Sequence, residues 1–139
     1  MFKKKILLII YFSITIFFNT NLYANINIEV RVNEAIITNI DIKKEAEYLK
    51  FLNPSLNQLN KDKVLGLAKT SLINEIIKKN EIIKLIDINQ ENIFVDDYLK
   101  NLYSKLNYNS EKEFKNELNS KNIYSIDEIR NKIKLELLW

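Results

Sequence analysis

A chain of 139 residues that is 47% hydrophobic and 28% charged, with a formal net charge of +3, suits one globular domain with an appendage. It has no His and no Cys, one Gly and one Pro. These absences exclude disulfide frameworks, thiolate nucleophiles, the commonest metal ligand, glycine-rich phosphate loops and an all-β fold of many tight turns.

The chain opens with "MFKKK", continues into the apolar run Ile6 to Phe18, and reaches a small residue at Ala24 after "NTNLY". A basic start, about a dozen apolar residues and a small-residue end describe a secretory signal peptide over residues 1–24. Cleavage is expected between Ala24 and Asn25, with export to the periplasm. The run falls short of the roughly 18 residues of a spanning helix; an uncleaved inner-membrane anchor is the alternative. No Cys follows it, so lipoprotein attachment is excluded. Three of the 21 basic residues are Lys3, Lys4 and Lys5, so the remaining 18 balance the 18 acidic ones and the mature charge is zero. The mature domain therefore lacks the basic face a nucleic-acid partner requires.

From Ile26 the apolar residues alternate through Ile28, Val30 and Val32, the period of a half-buried strand. Asn33-Glu34 supplies a turn, Ala35 to Ile37 a second short strand, and Thr38 with Asp41 a capping-box spacing. The first helix presents Ile42, Ala46 and Leu49 on one face and ends before Pro54, whose ring pushes the preceding residue out of the helical region. The next helix, Lys61 to Lys84, is the longest, about 35 Å. Its apolar positions cover more than one stripe, which predicts contacts on two sides and a place at the centre of the core.

Asn89 is the expected N-cap of a third helix carrying Val95, Leu99, Leu102 and Leu106. Ser110 and Glu113 predict a capping box for a short helix with Phe114 and Leu118 inward, and Asn122 a left-handed end to it. Ser125 and Glu128 form a further capping box, and the last helix places Ile126, Ile129, Ile133 and Leu137 on one face. The fold class is thus mainly α: a short N-terminal β-hairpin followed by about five helices around a long central one. The closing "KLELLW" carries no stop signal, so the chain is expected to be a C-terminally truncated piece of a longer protein.

Asp96-Asp97, adjacent and about 100° apart on a helix, read as a solvated face and not as a metal or acid pair. Most aromatic residues are expected to be core or half-buried. Those left at the surface are candidate binding contacts: Tyr98 and Tyr103 first, which flank Leu99 and Leu102, then Phe94, Phe51 and Tyr108. No catalytic residue, cofactor or metal site is expected.

Val32-Asn33, Ile36-Ile37-Thr38 and Asp41-Ile42, the Leu72, Ile73, Ile76, Ile77 series, and Ile129, Arg130 and Ile133 occur in this order behind an export signal. In that order they resemble the N-terminal domain of SurA-type periplasmic chaperones over residues 26–139. The departures are Ala35 where a Gly is frequent, Asn122 in place of a Gly between the last two helices, and the absence of the parvulin prolyl-isomerase domains. The resemblance implies an ATP-independent chaperone module. Its partners would be unfolded or nascent exported proteins, outer-membrane proteins above all, held in shallow apolar-aromatic grooves. The hairpin would be a docking edge for chain beyond Trp139. Parvulin chemistry rests on a site that includes His, so isomerase activity does not transfer to this chain. The alternatives are the non-catalytic N-terminal portion of such an isomerase and a membrane-anchored helical scaffold.

Overall fold

The computed structural model describes residues 25–139, so the expected signal peptide and the Ala24 side of its cleavage site lie outside the described residues. Strands β1 (Ile28–Val32) and β2 (Ala35–Thr38) pair antiparallel, with Val30 opposite Ile37 and Val32 opposite Ala35. Asn33 takes a φ of 53° at the first turn position, a conformation Asn tolerates better than most side chains. The register is irregular between Ile28 and Val30. The packed face of the hairpin begins at Val30; Ile26 and Ile28, expected to be half-buried by alternation, are exposed.

Helix α1 (Asn39–Leu52) starts on the predicted capping box. Thr38 Oγ1 accepts from the Asp41 N–H, while Asp41 accepts in return from the Thr38 N–H at 2.8 Å. Asn39 also ties the incoming chain down, donating its backbone N–H to the Asn27 carbonyl and its side-chain amide to the Asn25 carbonyl. Asn53 ends the helix and its side chain caps a short 3-10 turn, Pro54–Gln58.

Helix α2 (Lys61–Ile82) begins at the Asn60 cap and ends two residues earlier than the sequence suggests. It is long but does not centre the core. Only Val64, Ala68 and Ile82 are buried, while Leu67 and Ile77 face solvent. Its spread of apolar residues exceeds the partners packed against it, which are α1, β1 and the last helix.

Helix α3 (Phe94–Lys105) starts later than predicted. Asn92 accepts from the Phe94 N–H, whereas Asn89 folds back in a turn, its N–H donating to Asp87. Helix α4 (Glu111–Ser120) has only half of its expected box. Ser110 accepts from the Glu113 N–H, but the Glu113 carboxylate reaches past Ser110 to the Asn109 N–H. Helix α5 (Ile126–Leu138) has the complete Ser125–Glu128 box.

Two helices end through left-handed asparagines. Asn107 has φ 66°, with Tyr108 N–H bonded to the Tyr103 carbonyl and Asn107 N–H to that of Ser104. Asn122 has φ 50°, with Ile123 bonded to Leu118 and Asn122 to Asn119. This is the Schellman pairing, in which two otherwise orphaned carbonyls are satisfied at each end.

The core is double. One cluster joins Ile37 of the hairpin, Ile42 and Ala46 of α1, and Val64 and Ala68 of α2. The other joins Tyr48 of α1, Leu99 of α3, Phe114 and Leu118 of α4, Ile123 and Tyr124, and Ile126 and Ile129 of α5. Helix α1 belongs to both, so it occupies the central place that periodicity alone assigns to α2. Among the described residues no helix is long and apolar enough to cross a membrane.

Candidate functional site

Where the two clusters adjoin, α1, α2, α3 and α5 leave a groove of about 500 Å³. Its walls differ in chemistry. Helices α1, α3 and α5 contribute the apolar side chains, Tyr48, Leu49 and Leu52, then Tyr98 and Leu102, then Ile133 and Leu137, together with the charged Glu45, Lys132 and Glu136; α2 contributes only polar ones, Ser71, Asn74, Glu75 and Lys78. Tyr98 stands at the groove and is 55% exposed.

One side of the groove is lined by a polar knot built on Glu45, which is only 1% exposed. Its carboxylate accepts from the Ser71 hydroxyl at 2.7 Å, the Tyr124 hydroxyl at 2.7 Å and Lys132 Nζ at 3.0 Å. Lys132 also donates to Glu75. A buried carboxylate is tolerable only when its oxygens are satisfied in this way. The Tyr124 ring meets Tyr48 edge-on at 5.1 Å and lies 4.5 Å from the ammonium groups of both Lys44 and Lys132. These are favourable aromatic and cation–π contacts.

Electrostatics follow from this arrangement. Burial, then the hydrogen bond to Glu45 and that residue's charge, push the Tyr124 phenol well above the ordinary tyrosine range. Burial and the charges of Glu45 and Glu75 do the same to Tyr48. At Glu128 burial opposes ionisation, but the bonds to Lys44 and Ser125 outweigh it and hold the carboxyl below its usual value.

The predicted contact residues do not converge. Tyr98 alone lines this groove. Tyr103 is half-buried against Phe114, ring centroids 6.2 Å apart, so the surface position expected for it gives way to core packing. Phe51 and Tyr108 flank Phe114 at 5.9 and 5.5 Å and form the base of a separate hollow whose rim is Lys50, Lys105, Lys121 and Glu117. Phe94 is 57% exposed but belongs to a smaller cavity with Ile86, Ile93 and Leu138.

Reading by sequence misses Glu45, Tyr48 and Lys132. A signal is present: Glu45, Tyr48 and Leu52 recur at three and four, a second stripe beside the one formed by Ile42, Ala46 and Leu49. Asp96 pairs with Arg130, which also bonds Glu111 at 2.9 Å, so it fastens α3 and the start of α4 to α5. Among the described residues no cluster of acidic side chains is placed to hold a metal ion.

The fold and groove define a helical, hairpin-headed module with a cleft between its helices. No protein family, curated protein or solved structure matches the chain.

Proposed function

We propose that the protein is an ATP-independent holding chaperone of the periplasm, taking extended apolar segments of unfolded exported proteins, outer-membrane proteins among them, into the groove beside Tyr98. The observation that carries the reading is the division of the groove. An extended segment with alternating side chains can set its apolar members against Leu49, Leu102 and Leu137, while polar members and backbone groups face Ser71 and Asn74. A cleft of about 500 Å³ takes only a few side chains, which suits modest, releasable binding. The signal-like start and the order of hairpin and helices, which resemble those of SurA-type chaperones, support the same reading. No catalytic step is assigned to any residue.

The test dilutes a denatured outer-membrane barrel protein from urea and follows its aggregation by light scattering, without nucleotide. Added protein should slow aggregation. Tyr98→Ser should weaken that effect severalfold with its melting curve unchanged, whereas Tyr103→Ser should lower the melting temperature. Folded wild-type protein that leaves aggregation unaltered would overturn the proposal.

A further inference from the structure

The groove carries charge as well as apolar surface: three carboxylates, Glu45, Glu75 and Glu136, and two ammonium groups, Lys78 and Lys132. Counted alone, the excess of one negative charge would favour a cationic guest. The geometry leaves no charge free to receive one. Lys132 stands between two of the carboxylates, 3.0 Å from Glu45 and bonded also to Glu75, while Lys78 meets both oxygens of Glu136 at 2.7 Å. Glu45 is further satisfied by the hydroxyls of Ser71 and Tyr124. Every charge in the lining is therefore engaged by a neighbour within the protein.

A charged side chain entering this groove loses water without gaining a free counter-charge. It must either stay uncompensated or displace a lysine or glutamate from its present partner, and both courses cost free energy. The penalty falls on either sign. A guest ammonium competes with Lys132 and Lys78; a guest carboxylate competes with Glu45, Glu75 and Glu136. An uncharged apolar side chain meets no such cost and covers Leu52, Leu102 and Ile133. The pairs differ in how open they are to competition. Lys132 and Glu45 are shielded, whereas Glu136 is 67% exposed, and its partner Lys78 also lies 5.9 Å from the Trp139 ring. A guest reaches the Lys78–Glu136 pair more readily than the Glu45–Lys132 pair.

We infer that the groove selects its guest by neutrality: uncharged apolar side chains enter, Lys and Glu side chains are both turned away, and the Lys78–Glu136 pair sets that exclusion. The selectivity combines contacts offered to the right guest with costs imposed on the wrong one. Breaking the pair from one side leaves a single charge facing the groove, and a guest of opposite sign then gains a partner. The inference rests on the holding reading above and narrows it to unfolded segments whose buried members carry no charge.

The experiment measures, by fluorescence anisotropy, binding of the purified protein to capped, dye-labelled peptides about seven residues long. Ser alternates with Leu in them, and the central Leu is replaced in turn by Gln, Lys or Glu. At about 150 mM NaCl, where charge effects are screened beyond about 8 Å, the Lys and Glu peptides should each bind at least about tenfold more weakly than the Leu peptide, with Gln between. Lys78→Met should raise the affinity for the Lys peptide relative to Leu about threefold and leave the Glu peptide excluded; Glu136→Gln should do the reverse. Circular dichroism establishes that both variants are folded. A Lys or Glu peptide that binds wild type as well as the Leu peptide overturns the selectivity and leaves the holding reading standing. Relative affinities that stay fixed in both folded variants overturn the part given to Lys78 and Glu136. If no peptide binds, the selectivity falls, and the aggregation assay above shows separately whether holding falls with it.

Discussion

Glu45 of α1 and Lys132 of α5, 87 residues apart in sequence, meet at 3.0 Å in the lining of the groove, and both remaining partners of the Glu45 carboxylate are hydroxyls, from Ser71 and Tyr124. Removing Lys132 strands the buried Glu45 charge, whereas removing Glu45 leaves Lys132 its bond to Glu75. Lys132→Met should cost ~3–5 kcal/mol by urea unfolding, and Glu45→Ala less. Glu45→Met combined with Lys132→Met should recover part of that loss, because no buried charge is left unpaired. Additive losses in the double variant would contradict this account of the pair.

The phenols of Tyr48 and Tyr124 are held above the ordinary value of 10.0. A raised acid keeps its proton in the folded state where the unfolded chain has lost it. The associated stability is complete below pH 10.0 and declines as pH rises past that value. Alkaline unfolding should therefore begin above about pH 10. Tyr48→Phe removes an ionisable group while keeping the ring that packs edge-on against Tyr124. It should move the alkaline midpoint upward while leaving neutral-pH stability within about 0.5 kcal/mol. An unmoved midpoint in a pH titration of circular dichroism would count against this.

Core truncations should rank by the clusters, not by apolarity of sequence. Phe114→Ala and Leu118→Ala, at positions that exclude solvent altogether, should cost ~3–5 and ~2–5 kcal/mol. Leu72→Ala and Ile76→Ala, only half-buried on α2, should cost distinctly less. Equilibrium unfolding of the four variants gives the order directly.

The left-handed helix ends supply a backbone prediction. Asn107→Val and Asn122→Val put a β-branched residue at φ 66° and 50°, and each should cost about 1–2 kcal/mol. Asn122→Gly should be tolerated, since Gly adopts that conformation without steric penalty. Thermal melts of the three variants test it.

Local chemistry makes much of this fold legible in the amino-acid sequence. Thr38 with Asp41, Ser125 with Glu128, and the left-handed Asn122 behave as short-range hydrogen bonding and sterics require, because their partners lie within four residues. The stripes Val95–Leu99 and Ile126–Ile129 likewise face inward. What the sequence conceals depends on partners distant along the chain. Helix α2 is apolar around much of its circumference, and periodicity cannot reveal that few elements pack against it. Helix α3 starts later because the Phe94 N–H is taken by Asn92, while Asn89 is held in a turn by Asp87. Of the five aromatic candidates, Tyr98 reaches the groove while Tyr103, Phe51 and Tyr108 gather round Phe114, a choice made by tertiary packing alone. Glu45 is hidden for the same reason: a lone acidic residue on a helix reads as solvated until Ser71, Tyr124 and Lys132 are brought to it.

The central claim, that the groove beside Tyr98 holds an unfolded exported segment, is tested most directly by site-specific photo-crosslinking. A photoreactive residue placed at Tyr98, and separately at Lys115 on the exposed face of α4, is irradiated with a purified, urea-diluted outer-membrane barrel protein. The account predicts a covalent adduct from position 98 and little from position 115, with the adduct competed by excess unlabelled barrel protein. Equal capture from both positions, or none from position 98 in folded protein, would contradict it.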